Sequence, residues 1–436
     1  FVIKKGARSK PENYRPISLT SVSCKVLESI IKDKITNHLN KYGLIQDTQH
    51  GFRKGKSTTT NLLEYLEIIT KSVDNGTPVD VVYLDLAKAF DTVPHKRLVT
   101  KIKAHGIDGN ILQWITAWLN SRKQKVVTQG AKSSWRPVTS SVVQGSVLGP
   151  LCFLIYMNDL EIGLTDKSTV SKFADDTKLI HPVQIDNDRT DMQNSINHLH
   201  RWANTWQMRY NADKCGVMHF GTHNPHYTYT MGNSQLKEST QEKDLGVLVH
   251  KSLKVASQCA AAANKGNRTL GMIKRNFTFR SKEVILKLYK SLVRPHLDYA
   301  IQAWCPYLEK DKKKLEKVQA RATKLIPSIQ HLPYEERLAK LKLTTLEKRR
   351  ERGDLLQTYR IMTQIDKSNP ENYFQFANYE RTRGHSMKLA KTRSRLDIRK
   401  HFYSQRVVSK WNKLPQTAID APTLLSFKQQ LSNLGF

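Results

Sequence analysis

Two adjacent aspartates, Asp175 and Asp176, lie between two short runs of strand character, Thr169, Val170 and Lys172 before them and Lys178, Leu179 and Ile180 after. Carboxylates this close repel and raise each other's proton affinity. A divalent cation relieves the repulsion, Mg²⁺ binding carboxylate oxygens at about 2.0–2.1 Å. Aspartate is also a common turn residue, so the pair alone reads more readily as turn chemistry. A third carboxylate changes the balance. The run from Val79 to Leu86 is β-branched and aromatic and reads as a buried strand. Asp85 near its end needs a partner, because a buried charge must be paired or ligated. If this strand lies beside the Asp175–Asp176 hairpin, three carboxylates converge on one sheet edge. Such a set binds two divalent ions, which activate an attacking oxygen and stabilise a leaving one in phosphoryl transfer.

The elements that must hold these groups follow from pattern. A short strand is expected over Ile17 to Thr20, after turns at Pro11 and Pro16. Val26, Leu27, Ile30, Ile31, Ile35 and Leu39 recur at helical spacing, and Gly43 suits a left-handed cap. Ser57 suits the N-cap of a second helix that stops at Asn75-Gly76. The loop before it, His50-Gly51-Phe52-Arg53-Lys54-Gly55-Lys56-Ser57, has three residues between its glycines and so fails the phosphate-loop spacing. Arg53, Lys54 and Lys56 are instead candidates for the phosphates of a nucleic acid. Lys125 to Gln129 and Val138 to Val143 read as a strand pair. At Gln144-Gly145 the glycine lets backbone approach a ligand, and the following helix start offers free N–H donors. A long helix from Asp186 to Tyr210 and a strand from Gly216 to Phe220 complete a split βαβ arrangement.

These strings, in this order, resemble one family. Phe173-Ala174-Asp175-Asp176, Tyr83-Leu84-Asp85-Leu86-Ala87-Lys88-Ala89-Phe90-Asp91 and Gln144-Gly145-Ser146-Val147-Leu148-Gly149-Pro150 are similar to motifs C, A and B of reverse transcriptases. Asn13-Tyr14-Arg15-Pro16-Ile17-Ser18-Leu19 and His50 to Thr58 narrow the resemblance to non-LTR retrotransposon enzymes, LINE-like and of jockey/CR1 type. The resemblance implies RNA-templated DNA synthesis from a DNA primer and deoxynucleoside triphosphates. It implies two Mg²⁺ ions, with Mn²⁺ as an alternative, held by Asp85, Asp175 and Asp176. Arg15 would meet the triphosphate, Phe90 would exclude a 2′-hydroxyl, Gln144 and Gly145 would shape the base-pair pocket, and Lys214 would protonate pyrophosphate. Lys243 to Val249 resembles motif E, which makes Leu245 and Gly246 a primer grip.

The bulk numbers agree with a polyanion partner. Seventy-one Lys and Arg against 38 Asp and Glu leave 436 residues with a net charge of +33, and neutralised phosphates release counterions. The alternative for a basic protein is solubility or membrane-surface binding. Five scattered cysteines with no C-x-x-C spacing argue against a disulfide framework or zinc site, and suggest a reduced compartment. No signal peptide or apolar run of membrane-spanning length is read, so an intracellular place, nucleus and cytoplasm, is expected. A start at Phe1 is taken to mark the back part of a longer polyprotein.

The expected fold is α+β: a right-hand polymerase with fingers and an antiparallel split palm over 1–250, a helical thumb over 251–330, and a basic, mostly helical C-terminal region over 331–436. From Arg381 to Lys413, eleven Lys or Arg face one acid, Asp397. Phe402, Tyr403 and Trp411 are interleaved, a mixture suited to stacking on single strands. Arg393, Arg395, Arg399 and Lys400 are the nucleic-acid candidates there. The competing reading of the whole is a catalytically inactive, nucleic-acid-binding remnant of a retroelement. Nothing in the sequence bears on oligomeric state.

Overall fold

The computed structural model describes residues 2–3, 7, 9–10, 13–15, 17–120, 122–128, 130–377 and 384–436. Pro11, Pro16, Gln129 and Arg381 lie outside them. The first strands, β1 (Val2–Ile3) and β2 (Tyr14–Arg15), pair antiparallel. The strand expected at Ile17 to Thr20 is absent, because Ser18 gives its N–H to the Gln144 carbonyl instead of a ladder. Helix α1 (Val22–Lys41) starts where Ser21 Oγ accepts the Cys24 N–H, and it ends at Gly43 with φ +61°. Its buried stripe is Glu28, Ile31, Ile35 and Leu39, whereas Val26, Leu27 and Ile30 face outward. Helix α2 (Thr58–Asp74) carries a reciprocal cap between Ser57 and Thr60 and stops at Asn75.

Strand β3 (Val79–Leu84) is followed by α3 (Ala89–Thr92), α4 (His95–Ala104) and α5 (Gly109–Leu119). The next strand pairing differs from expectation. Strand β4 (Lys123–Gln124) pairs with β7 (Arg136–Pro137), enclosing β5 (Val127–Thr128) and β6 (Ala131–Lys132). Val138 to Val143 forms no strand, since the Ser141 and Val142 N–H groups go to Val93 and Phe90 carbonyls and the valines 142 and 143 are core. Then come α6 (Gly149–Tyr156), β8 (Thr169–Phe173), β9 (Asp176–Pro182), α7 (Asp186–Thr205) and β10 (Gly216–Phe220). Strands β11 (Thr230–Met231), β12 (Ser234–Gln235), β13 (Lys237–Glu238), β14 (Gln241–Asp244) and β15 (Val247–His250) close the β-rich part. Beyond them the chain is mainly helical: α8 (Ala256–Asn276), α9 (Lys282–Leu288), α10 (Arg294–Asp298), α11 (Ile301–Trp304), α12 (Glu309–Thr323), α13 (Tyr334–Leu341) and α14 (Leu346–Met362).

The chain divides into two units. The first comprises 1–53, 80–217 and 225–238. Its organising element is a five-stranded sheet in the order β13-β10-β3-β9-β8, with β8 and β9 antiparallel from Thr169↔Ile180 to Phe173↔Asp176. Val82 and Leu84 of β3, Phe153 and Tyr156 of α6, and Met192, Ile196 and Leu199 of α7 share one buried cluster. Each such side chain contributes about 1.5–3 kcal/mol on burial, which fixes the sheet beneath the acidic hairpin.

The second unit comprises 54–79, 218–224 and 239–436. Here β14 and β15 form a hairpin whose two turn residues, Leu245 and Gly246, both have positive φ, the geometry that matches strand twist. Helix α8 packs on α12. The aromatics of the basic C-terminal run are core: Phe402, Tyr403 and Trp411 are all buried, so they offer no stacking platform. Several of its cations are internal too. Arg399 pairs with Glu67 at 2.5 Å and bonds Thr70, and Ser404 donates to the same Glu67. Arg406 makes a two-pronged pair with Asp354, whereas Arg395 stays exposed, its guanidinium donating to the Asp74 and Val73 carbonyls. Among the described residues no helix is long and apolar enough to cross a membrane. The fold is α+β, as expected.

Candidate active site

Asp175 is the second residue of a two-residue turn joining β8 to β9, and Asp176 opens β9. Asp175 is half-buried and Asp176 exposed. The first turn residue, Ala174, has φ +57°, a left-handed conformation that costs a residue with a Cβ roughly 1–2 kcal/mol. Thr177 Oγ1 donates to the Asp175 carbonyl, which closes the turn from the far side. The other side is held by Gln49. Its Oε1 accepts both the Ala174 and Gly51 N–H groups at 2.8 Å, and its Nε2 donates to the Ala174 carbonyl at 3.3 Å.

Asp85 directly follows β3, the sheet neighbour of β9. The segment around it is zipped to the loop before β10: Ala87 N–H donates to the Arg209 carbonyl and Asn211 N–H to the Asp85 carbonyl. Lys214 Nζ stands 3.2 Å from Asp85 Oδ2, a pair open to solvent. The Asp85 N–H meets Cys215 Sγ at 3.3 Å. Burial pushes the Cys215 thiol up to about 11, so it stays protonated. The candidate carboxylates of Asp85, Asp175 and Asp176 offer hard oxygen donors, which suit Mg²⁺ or Mn²⁺ rather than a soft ion.

Three of the nucleotide candidates, Phe90, Gln144 and Gly145, lie at the loop before α6. Gln144 Nε2 donates to Asp91 Oδ1 at 3.1 Å. Gly145 has φ +98°, and a Cβ there would stand 2.7 Å from the Ser18 carbonyl oxygen, so no other residue fits. The segment Ile17–Ser18 thus lies directly on this loop. Beside it, Phe90 stacks on Phe153 with ring centroids 4.1 Å apart and meets Phe52 edge-on at 6.2 Å. The backbone of Arg15 is in β2, and its side chain lies outside the described residues.

Glu28 and Gln49 were not among the expected site residues. Glu28 is fully buried, and its Oε2 accepts the Val147 and Leu148 N–H groups at 2.6 and 3.1 Å, just ahead of α6. A helix start leaves such donors without partners, and a carboxylate is favoured there. The signal for it was present: Glu28 falls on the same stripe as Ile31, Ile35 and Leu39. For Gln49 no local signal exists beyond its nearness to Gly51.

The basic candidates separate into tied and exposed groups. Arg53 donates to the Gln46 and Gln49 carbonyls and pairs with Asp47. Lys56 is nearly buried, 3.7 Å from Glu64, while Lys54 is exposed. In the C-terminal region Arg393 and Lys400 are exposed, and Arg395 and Arg399 bond within their own unit. Leu245 and Gly246 form the tip of the β14–β15 hairpin, where Tyr299 Oη donates to the Leu245 carbonyl.

Residues 2–261 match the family described as reverse transcriptase (RNA-dependent DNA polymerase). The chain is 27% identical over 328 residues to a probable RNA-directed DNA polymerase from transposon X-element of Drosophila melanogaster, covering 73% of this chain and 36% of that protein. It is 26% identical over 334 residues to the RNA-directed DNA polymerase from mobile element jockey of Drosophila funebris, covering 74% and 36%. It therefore spans about a third of the length of these curated relatives. Among solved structures, a telomerase from Candida tropicalis in complex with a fragment of telomeric RNA aligns with a TM-score of 0.46 and 10% identity, over 94% of this chain and 55% of that one. With more than half its residues matched and the motif residues A, B and C gathered in one unit, the chain belongs to the reverse transcriptase family, beside the enzymes of non-LTR retrotransposons.

Proposed function

We propose that this chain extends a DNA primer on an RNA template as the polymerase of a non-LTR retrotransposon. The observation that carries the reading is the pairing of neighbouring strands, one leaving into Asp85 and the next entered through Asp175 and Asp176. Asp85 and Asp175 are the residues that would hold two Mg²⁺ ions, with Asp176 adding charge nearby. Bound there, the ions would lower the pKa of the primer 3′-hydroxyl and take up charge on the departing pyrophosphate. Lys214, whose ammonium stands beside Asp85 Oδ2, would donate a proton to pyrophosphate. Gln144, oriented by Asp91, and Gly145, kept bare against Ser18, would form one wall of the base-pair pocket. Phe90 would lie under the sugar, and Arg15 would meet the triphosphate. We assign fingers and palm to 1–250, thumb to 251–330 with a primer grip at Leu245-Gly246, and the remaining region to nucleic-acid contact through its exposed cations.

The test is extension of a labelled DNA primer by the purified chain with Mg²⁺, on matched RNA and DNA templates. Extension on RNA supports the reading. Tight binding of the primer–template with no extension at any metal concentration would leave the inactive remnant as the better account.

A further inference from the structure

We infer that Gln49 is a positioning residue of the active site, setting where the carboxylates of Asp175 and Asp176 stand; this rests on the metal reading above. Gln49 is 3% exposed, so its carboxamide must find protein partners. Both of its polar atoms go to two short stretches, and one of them is the acidic turn. The oxygen collects the N–H groups of Gly51 and Ala174, and the nitrogen returns to the Ala174 carbonyl. Ala174 is thus gripped at both ends of its backbone. It is also the residue whose φ of +57° is disfavoured, and such conformations persist where surroundings over-determine them.

The approach is close enough to exclude a side chain. A Cβ on Gly51 would stand 2.4 Å from the Ala174 nitrogen. The rest of the segment is laid along β8: the Lys172 N–H donates to the Thr48 carbonyl, and the His50 N–H to the Lys172 carbonyl. Thr48 Oγ1 bonds Glu161, which also pairs with Lys172 at 3.4 Å. Residues 48–51 therefore form a short parallel rail beside the hairpin, ending in the carboxamide at its tip. The glycine-punctuated loop expected to grip nucleic-acid phosphates starts from this rail, with Gly51 lying against Ala174.

Asp175 follows Ala174 directly, so any rotation of the Ala174 peptide moves its carboxylate. Catalytic groups must be held within about 0.5 Å, and a displacement near 1 Å costs on the order of 10²-fold in rate. The polar atoms of Gln49 bond Gly51 and Ala174, so its effect passes through the turn.

The experiment uses the full chain with Gln49→Leu, which keeps bulk and removes both polar ends. Mn²⁺ binding is followed by electron paramagnetic resonance without nucleic acid, and primer extension gives kcat and KM. Expected are a severalfold weaker Mn²⁺ affinity and a kcat lower by roughly 10- to 100-fold, with the nucleotide KM within about threefold. Gln49→Glu keeps the double acceptor and should fall between leucine and wild type. If folded Gln49→Leu keeps wild-type Mn²⁺ affinity and kcat per active site, the inference is overturned. Should Gln49→Leu not fold, Gly51→Ala displaces the turn with Gln49 intact; it should show the same joint loss, and unchanged values there overturn the inference equally. Asp175→Asn runs alongside: if it too binds Mn²⁺ and extends like wild type, the metal reading fails, whereas its loss beside an unaffected Gln49→Leu condemns only the positioning role.

Discussion

Replacing Phe90 by valine separates a packing role from exclusion of the ribose 2′-hydroxyl. The ring is half-buried, with one face on Phe153 at an interplanar angle of 14° and its edge toward Phe52 at 80°. Truncating a fully buried phenylalanine costs about 3–5 kcal/mol, and an aromatic pair adds about 0.5–1.5 kcal/mol beyond its area. With one face covered and valine keeping two methyl groups, the expected loss is about 1–2 kcal/mol. The functional effect should be larger than that loss suggests. Phe90 adjoins Asp91, whose carboxylate orients Gln144, so on the proposed reading a smaller side chain opens space beneath the sugar. The assay is single-nucleotide extension, reporting kcat/KM for a deoxynucleotide over that for its ribonucleotide. Unfolded protein cancels from this ratio, because both substrates meet the same active fraction. The ratio should fall by about 10- to 100-fold, the scale on which one small group is discriminated by a pocket. A ratio within threefold of wild type, with stability lowered by about 3 kcal/mol or more, would make Phe90 core and refute the gate.

Two further outcomes follow from the placement of charge. Arg399→Met leaves the buried Glu67 carboxylate without its cation and should destabilise by about 3–5 kcal/mol in denaturant unfolding, with the Glu67→Gln/Arg399→Met double variant recovering much of it; equal stability of single variant and wild type would deny the pair any structural part. Lys274→Gln with Lys282→Gln, both exposed on the helical unit, should weaken primer–template binding and lower the slope of log K against log salt by about 0.9 for each phosphate no longer neutralised; an unchanged slope would mean these cations face only solvent.

What could be read from the sequence was what is encoded locally. Ser57 and Gly43 mark helix ends through their own backbone chemistry, and the Asp175–Asp176 hairpin and the strand before Asp85 stand where their patterns put them. Helical period alone did not reveal which face of α1 is inside, since Val26, Leu27 and Ile30 satisfy the same spacing as the buried Glu28 stripe. The C-terminal run misled for a different reason. Its surplus of cations is real, but the acid that pairs with Arg399 and the carbonyls that hold the Arg395 guanidinium come from α2, more than three hundred residues away in sequence, and composition within a window cannot register them. Gln49 was missed because its importance lies in two backbone groups at Ala174, which no residue type announces.

The most direct test of the whole account is Asp175→Asn in primer extension on an RNA template. Removing one ligand charge relieves like-charge repulsion with Asp176, so folding, followed by circular dichroism and thermal unfolding, should be unaffected or slightly improved. Extension should fall by several orders of magnitude, as loss of a group that acts only with the metal in place requires. A folded Asp175→Asn chain that extends the primer at nearly the wild-type rate would contradict the assignment of the acidic hairpin as the seat of catalysis.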